Sequence, residues 1–202
     1  MEQNSRSPKQ RQIVSTARAL FWKFGIRRVS VEEICTEAGV SKMTFYKYFS
    51  NKNELVKFIL EEITAESISK YRRIMNQKVP FPEKVKQSIQ LKIEQTEALS
   101  QEFFEDIHKK AEPEIKEFFH QKIQESLRLI LHDYTAAQKT GDIRSDIKPE
   151  FIVYFLNKMM EMVKDEELSR LYSSPQDMIL ELTRFFFYGI LPRKDKKRTK
   201  HV

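Results

Sequence analysis

Only four glycines and seven prolines interrupt 202 residues, and nearly all of them stand where a helical repeat begins or ends. Pro8, Pro82, Pro113, Pro149 and Pro175 each precede a stretch of apolar residues spaced three and four apart. A fixed φ and a missing N–H do no harm in a first helical turn. Gly25, Gly39, Gly141 and Gly189 each follow such a stretch, where a left-handed C-cap favours glycine. The pattern predicts an all-α fold. Helices are expected over 8–24, from Val31 to about residue 38, and over 42–49, 52–77, 82–98, 101–110, 113–139, 148–166 and 175–190. The stretches 167–174 and 193–202 read as flexible.

A single cysteine excludes a disulfide framework and suits a reducing compartment. No apolar run approaches the ~18 residues of a membrane span, and Met1 to Gln12 is too polar for a signal peptide. A cytoplasmic protein with no membrane partner is expected. The charge is unevenly spread: residues 1–60 hold 11 basic against 5 acidic side chains, residues 61–192 hold 19 against 23, and the last ten hold 6 against 1. A basic N-terminal unit on a mildly acidic body fits contact with a polyanion through the first part.

Within that basic unit, Ser30-Val31-Glu32-Glu33 has the form of a capping box, Ser30 and Glu33 each satisfying a free backbone N–H. It opens a short helix with Ile34, Cys35 and Ala38 inward. Gly39-Val40 turns the chain, and Ser41 caps a second short helix. Two short helices joined by a glycine turn, with a third helix across them, describe a helix-turn-helix. On 42–49 the apolar Phe45 and Phe49 share one face. Lys42, Met43, Thr44, Tyr46, Lys47 and Tyr48 are left outward, a surface without an acid that suits a groove lined by phosphates. Arg27 and Arg28 fit either a phosphate contact or a solvated loop.

The run Ile34-Cys35-Thr36-Glu37-Ala38-Gly39-Val40-Ser41, continuing through Thr44, Phe45, Tyr46, Phe49, Lys52 and Leu55, resembles the TetR family of bacterial regulators. Ala17, Leu20, Phe21 and Gly25 match the earlier half of that pattern, so the resemblance covers about residues 7–67. It implies that Ser30 and Ser41 cap helices and touch phosphate, and that Lys42, Met43, Thr44 and Lys47 face the major groove. It implies further that the Tyr46 and Tyr48 hydroxyls reach the DNA backbone and that Lys52 meets a phosphate at a helix start. Cys35 stands where the family usually has alanine, and Tyr48 where histidine is commoner. The implied protein is a dimeric repressor of double-stranded operator DNA released by a small, apolar or amphipathic effector, not an enzyme and without a cofactor. Its organisation would be a helix-turn-helix domain over 7–67 (motif 30–49), a helical regulatory and dimerisation domain over 68–192, and a basic tail over 193–202.

Helices 148–166 and 175–190 carry apolar faces too wide for one buried side. One side can meet the core and the other a partner subunit, and the resemblance implies a four-helix dimer interface from this pair. Phe155, Met162, Ile179, Leu182 and Phe186 are the candidate interface residues. Phe103, Phe104, His108, Phe118, Phe119, Tyr134, Tyr154 and Met159 are candidates for an effector pocket, although aromatic stripes at helical spacing also serve as plain core. Two alternatives from other classes remain. Glu105-x-x-His108 and Glu117-x-x-His120 have the spacing of di-iron carboxylate ligands, but lie twelve residues apart around Pro113. The other is a nucleic-acid-binding protein without sequence preference.

Overall fold

The computed structural model describes residues 7–192, and among these every regular element is helical. The order is α1 (Pro8–Phe24), α2 (Val31–Glu37), α3 (Lys42–Tyr48), α4 (Lys52–Met75), α5 (Phe81–Thr96) and α6 (Gln101–Glu105). A π-helical turn, Asp106–Lys110, continues α6 without a break. Then come α7 (Pro113–Lys139), α8 (Pro149–Met162), α9 (Glu166–Ser169) and α10 (Pro175–Ile190). The tail over 193–202 lies outside the described residues.

Local chemistry sets most of these boundaries. Ser7, Ser30, Ser41, Asn51, Ser100, Asp165 and Ser174 each accept a backbone N–H from the first turn of the helix they open, the standard way to satisfy an orphan donor. At the expected capping box only the serine half forms: Ser30 Oγ accepts from Glu33 N at 3.1 Å. The Glu33 carboxylate instead stands 3.9 Å from Arg28 Nη1. The expected helix over 148–166 splits, because the chain turns at Val163–Asp165 and restarts at Glu166; residues 167–169 are therefore helical rather than loop. Gly189 does not terminate a helix either. It lies inside α10 with an ordinary negative φ, since Phe186 and Ile190 on either side are both pulled into the core.

The first hydrophobic core joins α1 to α4 through Ile13, Ala17, Phe21, Ile34, Phe45 and Leu55, all at or near zero exposure. Phe103, Ile107 and Ile115 from α6, the π turn and α7 belong to the same cluster. The Trp22 ring lies 4.5 Å from that of Phe103, and Ser100 N donates to Trp22 O at 3.0 Å. The N-terminal helices thus share a core with the middle of the chain. A second cluster gathers Phe81, Val85, Ile89, Tyr134, Ile152 and Phe186, and a small third one Phe104, Val163 and Met178. No helix among the described residues is long and apolar enough to cross a membrane.

Candidate nucleic-acid interface

α3 is a seven-residue helix held from below. Phe45 is fully buried, and its ring meets Phe49 at 5.9 Å, which in turn meets Phe58 of α4 at 5.4 Å. That anchoring fixes which side chains face away. Met43 is 82% exposed, an unusual state for methionine, and Tyr46, Lys42 and Lys47 are exposed with it. Thr44 is half-buried and its hydroxyl lies 3.0 Å from Ser41 Oγ. Lys42 Nζ donates to Glu32 Oε2 at 3.0 Å, and this hydrogen-bonded carboxylate raises the ammonium above its ordinary pKa. The pair is exposed, so it contributes little to stability and can exchange for a phosphate.

Tyr48 is positioned from a distance. Its hydroxyl accepts from Ser7 Oγ at 2.6 Å, tying the end of α3 to the start of α1. Ser7 caps α1 beside the end of α3, Ser41 caps α3 itself, and Ser30 caps α2. Arg28 lies over the Phe24 ring at 4.4 Å and beside Glu33, whereas Arg27 is exposed.

Lys52 departs from the sequence expectation. Its ammonium does not face outward but donates to Ile26 O at 2.9 Å, Val29 O at 2.9 Å and Arg27 O at 3.4 Å. Burial lowers its pKa, opposed by the charge of Asp106. A cation engaged by three carbonyls is a clamp on the α1–α2 loop. The same loop is gripped from the other side. Asp106, 7% exposed in the π turn, accepts from Arg27 N at 2.8 Å across 79 residues. Gly25 makes this approach possible: its φ is +80°, and a Cβ there would lie 2.7 Å from Asp106 Oδ2. Sequence reasoning had no local signal for Asp106, because its partner is remote in the chain.

The middle helices place the eight pocket candidates apart. Phe103 and Phe118 pack with the first core, Phe104 with the third, and Tyr134 and Met159 with the second. Tyr154 is outward and exposed. Phe103, Phe104, Phe118 and Tyr134 sit at helical spacing because they pack into the cores. His108 and Phe119 do border a cleft of about 650 Å³, with Ile107, Ile123, Lys116 and Lys164 also in its wall. The His108 ring lies 4.5 Å from Phe104 and 5.5 Å from Phe119. Burial, with the charges of Lys164 and Lys92, pushes its pKa down to about 4, so the imidazole is neutral at pH 7. Among the described residues no three His, Cys, Asp or Glu side chains gather closely enough to hold a metal ion. The paired Glu-x-x-His motifs therefore do not assemble a di-iron site.

Of the five interface candidates, Phe186 faces inward: it is 5% exposed and stacks on Tyr134 and Phe155 within its own subunit. Phe155, Ile179 and Leu182 are half-buried against the same cores, and Met162 is exposed. The outward apolar row is instead Phe151, Tyr154 and Met162 on α8 with Phe185 and Tyr188 on α10. On α10 Phe186 turns inward while Phe185 and Tyr188 are exposed, on a helix whose apolar residues run almost all round.

Comparison with known proteins follows this geometry closely. Residues 13–59 match the family model described as bacterial regulatory proteins, tetR family, spanning α1, α2, α3 and the start of α4. The fold as a whole is similar to the fatty acid degradation regulator FadR of Bacillus halodurans, with TM-score 0.71, 18% identity, and 94% of this chain and 100% of that chain covered. FadR of Bacillus subtilis, solved in complex with stearoyl-CoA, gives TM-score 0.68 at 15% identity, covering 90% and 99%. A TetR/AcrR-family transcriptional regulator of Thermobifida fusca gives 0.63 at 19%, covering 91% and 98%. No curated protein matches the chain in a sequence comparison. The chain carries at residues 13–59 the helix-turn-helix of the tetR family of bacterial regulatory proteins, within an all-helical fold shared by TetR/AcrR-type transcriptional regulators.

Proposed function

We propose that this protein is a homodimeric, sequence-specific repressor that acts on cytoplasmic DNA and leaves its operator when a small amphipathic molecule binds. Residues 7–67 serve as the DNA-binding unit and 68–192 as the regulatory and dimerising unit. The observation that carries the reading is the α3 surface: Lys42, Met43, Tyr46 and Lys47 outward over a buried Phe45, on a helix-turn-helix of matching family. Lys42, Met43, Thr44 and Lys47 enter the major groove, Met43 offering an apolar contact suited to a thymine methyl. Ser30, Ser41, Tyr46 and Tyr48 hold the backbone, and Arg27 joins them. Replacing Lys42 with alanine is expected to cost about 1–3 kcal/mol in operator affinity and to relax sequence preference, read by titration against matched and altered duplexes.

The exposed apolar side chains on α8 and α10 support dimerisation, because a soluble monomer rarely leaves five such large apolar groups open on two helices. Phe185, 71% exposed, is the natural probe. Phe185→Glu is expected to weaken self-association by about tenfold or more, measured by sedimentation, with operator affinity falling in parallel. A dimer presents two α3 helices to half-sites about 34–36 Å apart. An effector that prefers a different spacing by about 2.7 kcal/mol lowers operator affinity about 100-fold. The fold shared with regulators of fatty acid metabolism, one of them bound to stearoyl-CoA, supports an effector with a long apolar part.

The decisive experiment is a binding titration on the intergenic DNA flanking the protein's own gene, against a shuffled duplex at equal salt. A preference of ~10³-fold or more with two protomers per site is expected. Equal binding to both duplexes, there and across genomic fragments, would instead favour a nucleic-acid-binding protein without sequence preference.

A further inference from the structure

The outward face of α3 has no acid of its own, yet α2 sets one against it. Lys42, the first residue of α3, donates from Nζ to Oε2 of Glu32, the second residue of α2, at 3.0 Å. The bond joins the two short helices of the helix-turn-helix through side chains that are both exposed. A DNA duplex laid on α3 therefore meets the carboxylate together with the lysine. Lys47, in the last turn of the same helix, forms no ion pair among the described residues. The two lysines of α3 are not equivalent.

A lysine that is already paired gains little from a phosphate, because one exposed ion pair replaces another of similar worth. The exchange also strips Glu32 and leaves a carboxylate facing a polyanion, a like-charge approach that disfavours wrong partners. A base edge makes a different demand. An ammonium has three N–H donors, so Lys42 can keep Glu32 on one and offer the others to paired acceptors such as guanine O6 and N7. The first residues of a recognition helix are the ones that reach base edges, and Lys42 stands there. Resting on the repressor reading above, we propose that Glu32 sets the sequence preference by positioning Lys42: it withholds the ammonium from phosphates on unrelated DNA and aims it at a base edge of the operator. The carboxylate penalises every duplex, and only a sequence with the right acceptors offsets the penalty. Glu32 also lies in the first turn of α2, where a negative charge suits the helix dipole; that role would move the melting temperature and not the response of DNA binding to salt.

The test uses the full-length protein, a duplex that the wild type selects from a randomised pool, and the same bases shuffled. Both duplexes are titrated over a range of salt with wild type, Glu32→Gln, the double variant Glu32→Gln/Lys42→Ala, and Glu37→Gln. The last makes the same change of charge at the other end of α2. Glu32→Gln is expected to bind the shuffled duplex about tenfold more tightly, while affinity for the selected duplex changes by less than about threefold. On the shuffled duplex the freed Lys42 adds one phosphate contact, so the slope of log K against log salt steepens by about 0.9. The double variant is expected to keep the wild-type slope, and Glu37→Gln both the wild-type slope and preference. A steepening that appears equally in the double variant or in Glu37→Gln would be a general charge effect and would overturn the proposal. A wild-type preference that Glu32→Gln leaves intact would overturn it while the repressor reading stands. Failure of the wild type to select any sequence would overturn both.

Discussion

Gly25→Ala is expected to lower the melting temperature by about 6–12 °C, the equivalent of about 3 kcal/mol in a domain of this size. Gly25 combines φ +80° with ψ 162°, a region essentially closed to side chains and worth about 1–3 kcal/mol of strain for any other residue. Space is lacking as well. The new Cβ would meet Asp106 Oδ2 at 2.7 Å, Glu102 Cβ at 3.1 Å and the Glu102 backbone at 3.3 Å. The carboxylate can swing away, but only by releasing Arg27 N. The backbone of α6 cannot. Thermal and urea denaturation of Gly25→Ala, Asp106→Ala and the double variant give the check. The double variant should recover part of the loss, since removing the carboxylate relieves one clash, giving a coupling between the two sites. Strictly additive losses would mean that Gly25 and Asp106 do not act as one contact.

The second large effect is expected at Lys52. Lys52→Met removes three hydrogen bonds from a charged donor to the carbonyls of Ile26, Arg27 and Val29 and leaves those carbonyls short of partners. Bonds to charged groups contribute about 1.5–3 kcal/mol each, less when shared among acceptors, so a loss of about 3 kcal/mol is expected. Operator affinity will fall only as far as the α1–α2 loop loosens, and the dependence of affinity on salt will keep its slope. Lys47→Ala should do the reverse. Its stability is unchanged and its salt slope falls by about one. If Lys52→Met instead flattens the salt dependence while the protein melts normally, Lys52 is a phosphate anchor and the clamp is wrong.

What the sequence disclosed and what it hid follow one physical division. Helix existence and most ends were legible, because caps and breakers act within a few residues: Ser7, Ser41, Asn51 and Ser174 all cap where a helix begins. The inward turn of Phe45 and Phe49 was legible for the same reason, being a matter of spacing on one short helix. Contacts that close over long separations left no local mark. Asp106 meets Arg27 from 79 residues away, and the lysine at the start of α4 is drawn to carbonyls in a preceding loop rather than to solvent. On α10 the periodicity was saturated: with Phe185, Phe186, Phe187 and Tyr188 consecutive, apolar spacing cannot say which ring is inside. Packing against Tyr134 and Phe155 chose Phe186. The cleft was half-legible, since His108 and Phe119 stood among the candidates while Lys116 and Lys164 did not.

The ring contact between Trp22 and Phe103 has an optical consequence. Trp22 is the chain's single tryptophan, and it stands 4.5 Å from the Phe103 ring of α6, three residues before the π turn that carries His108. All indole emission from the protein therefore originates at the seam between the helix-turn-helix and the middle helices. A rearrangement that parts the two rings admits water to the indole and shifts its emission to the red, with no label attached. The molecule carries its own gauge of whether its two halves are engaged.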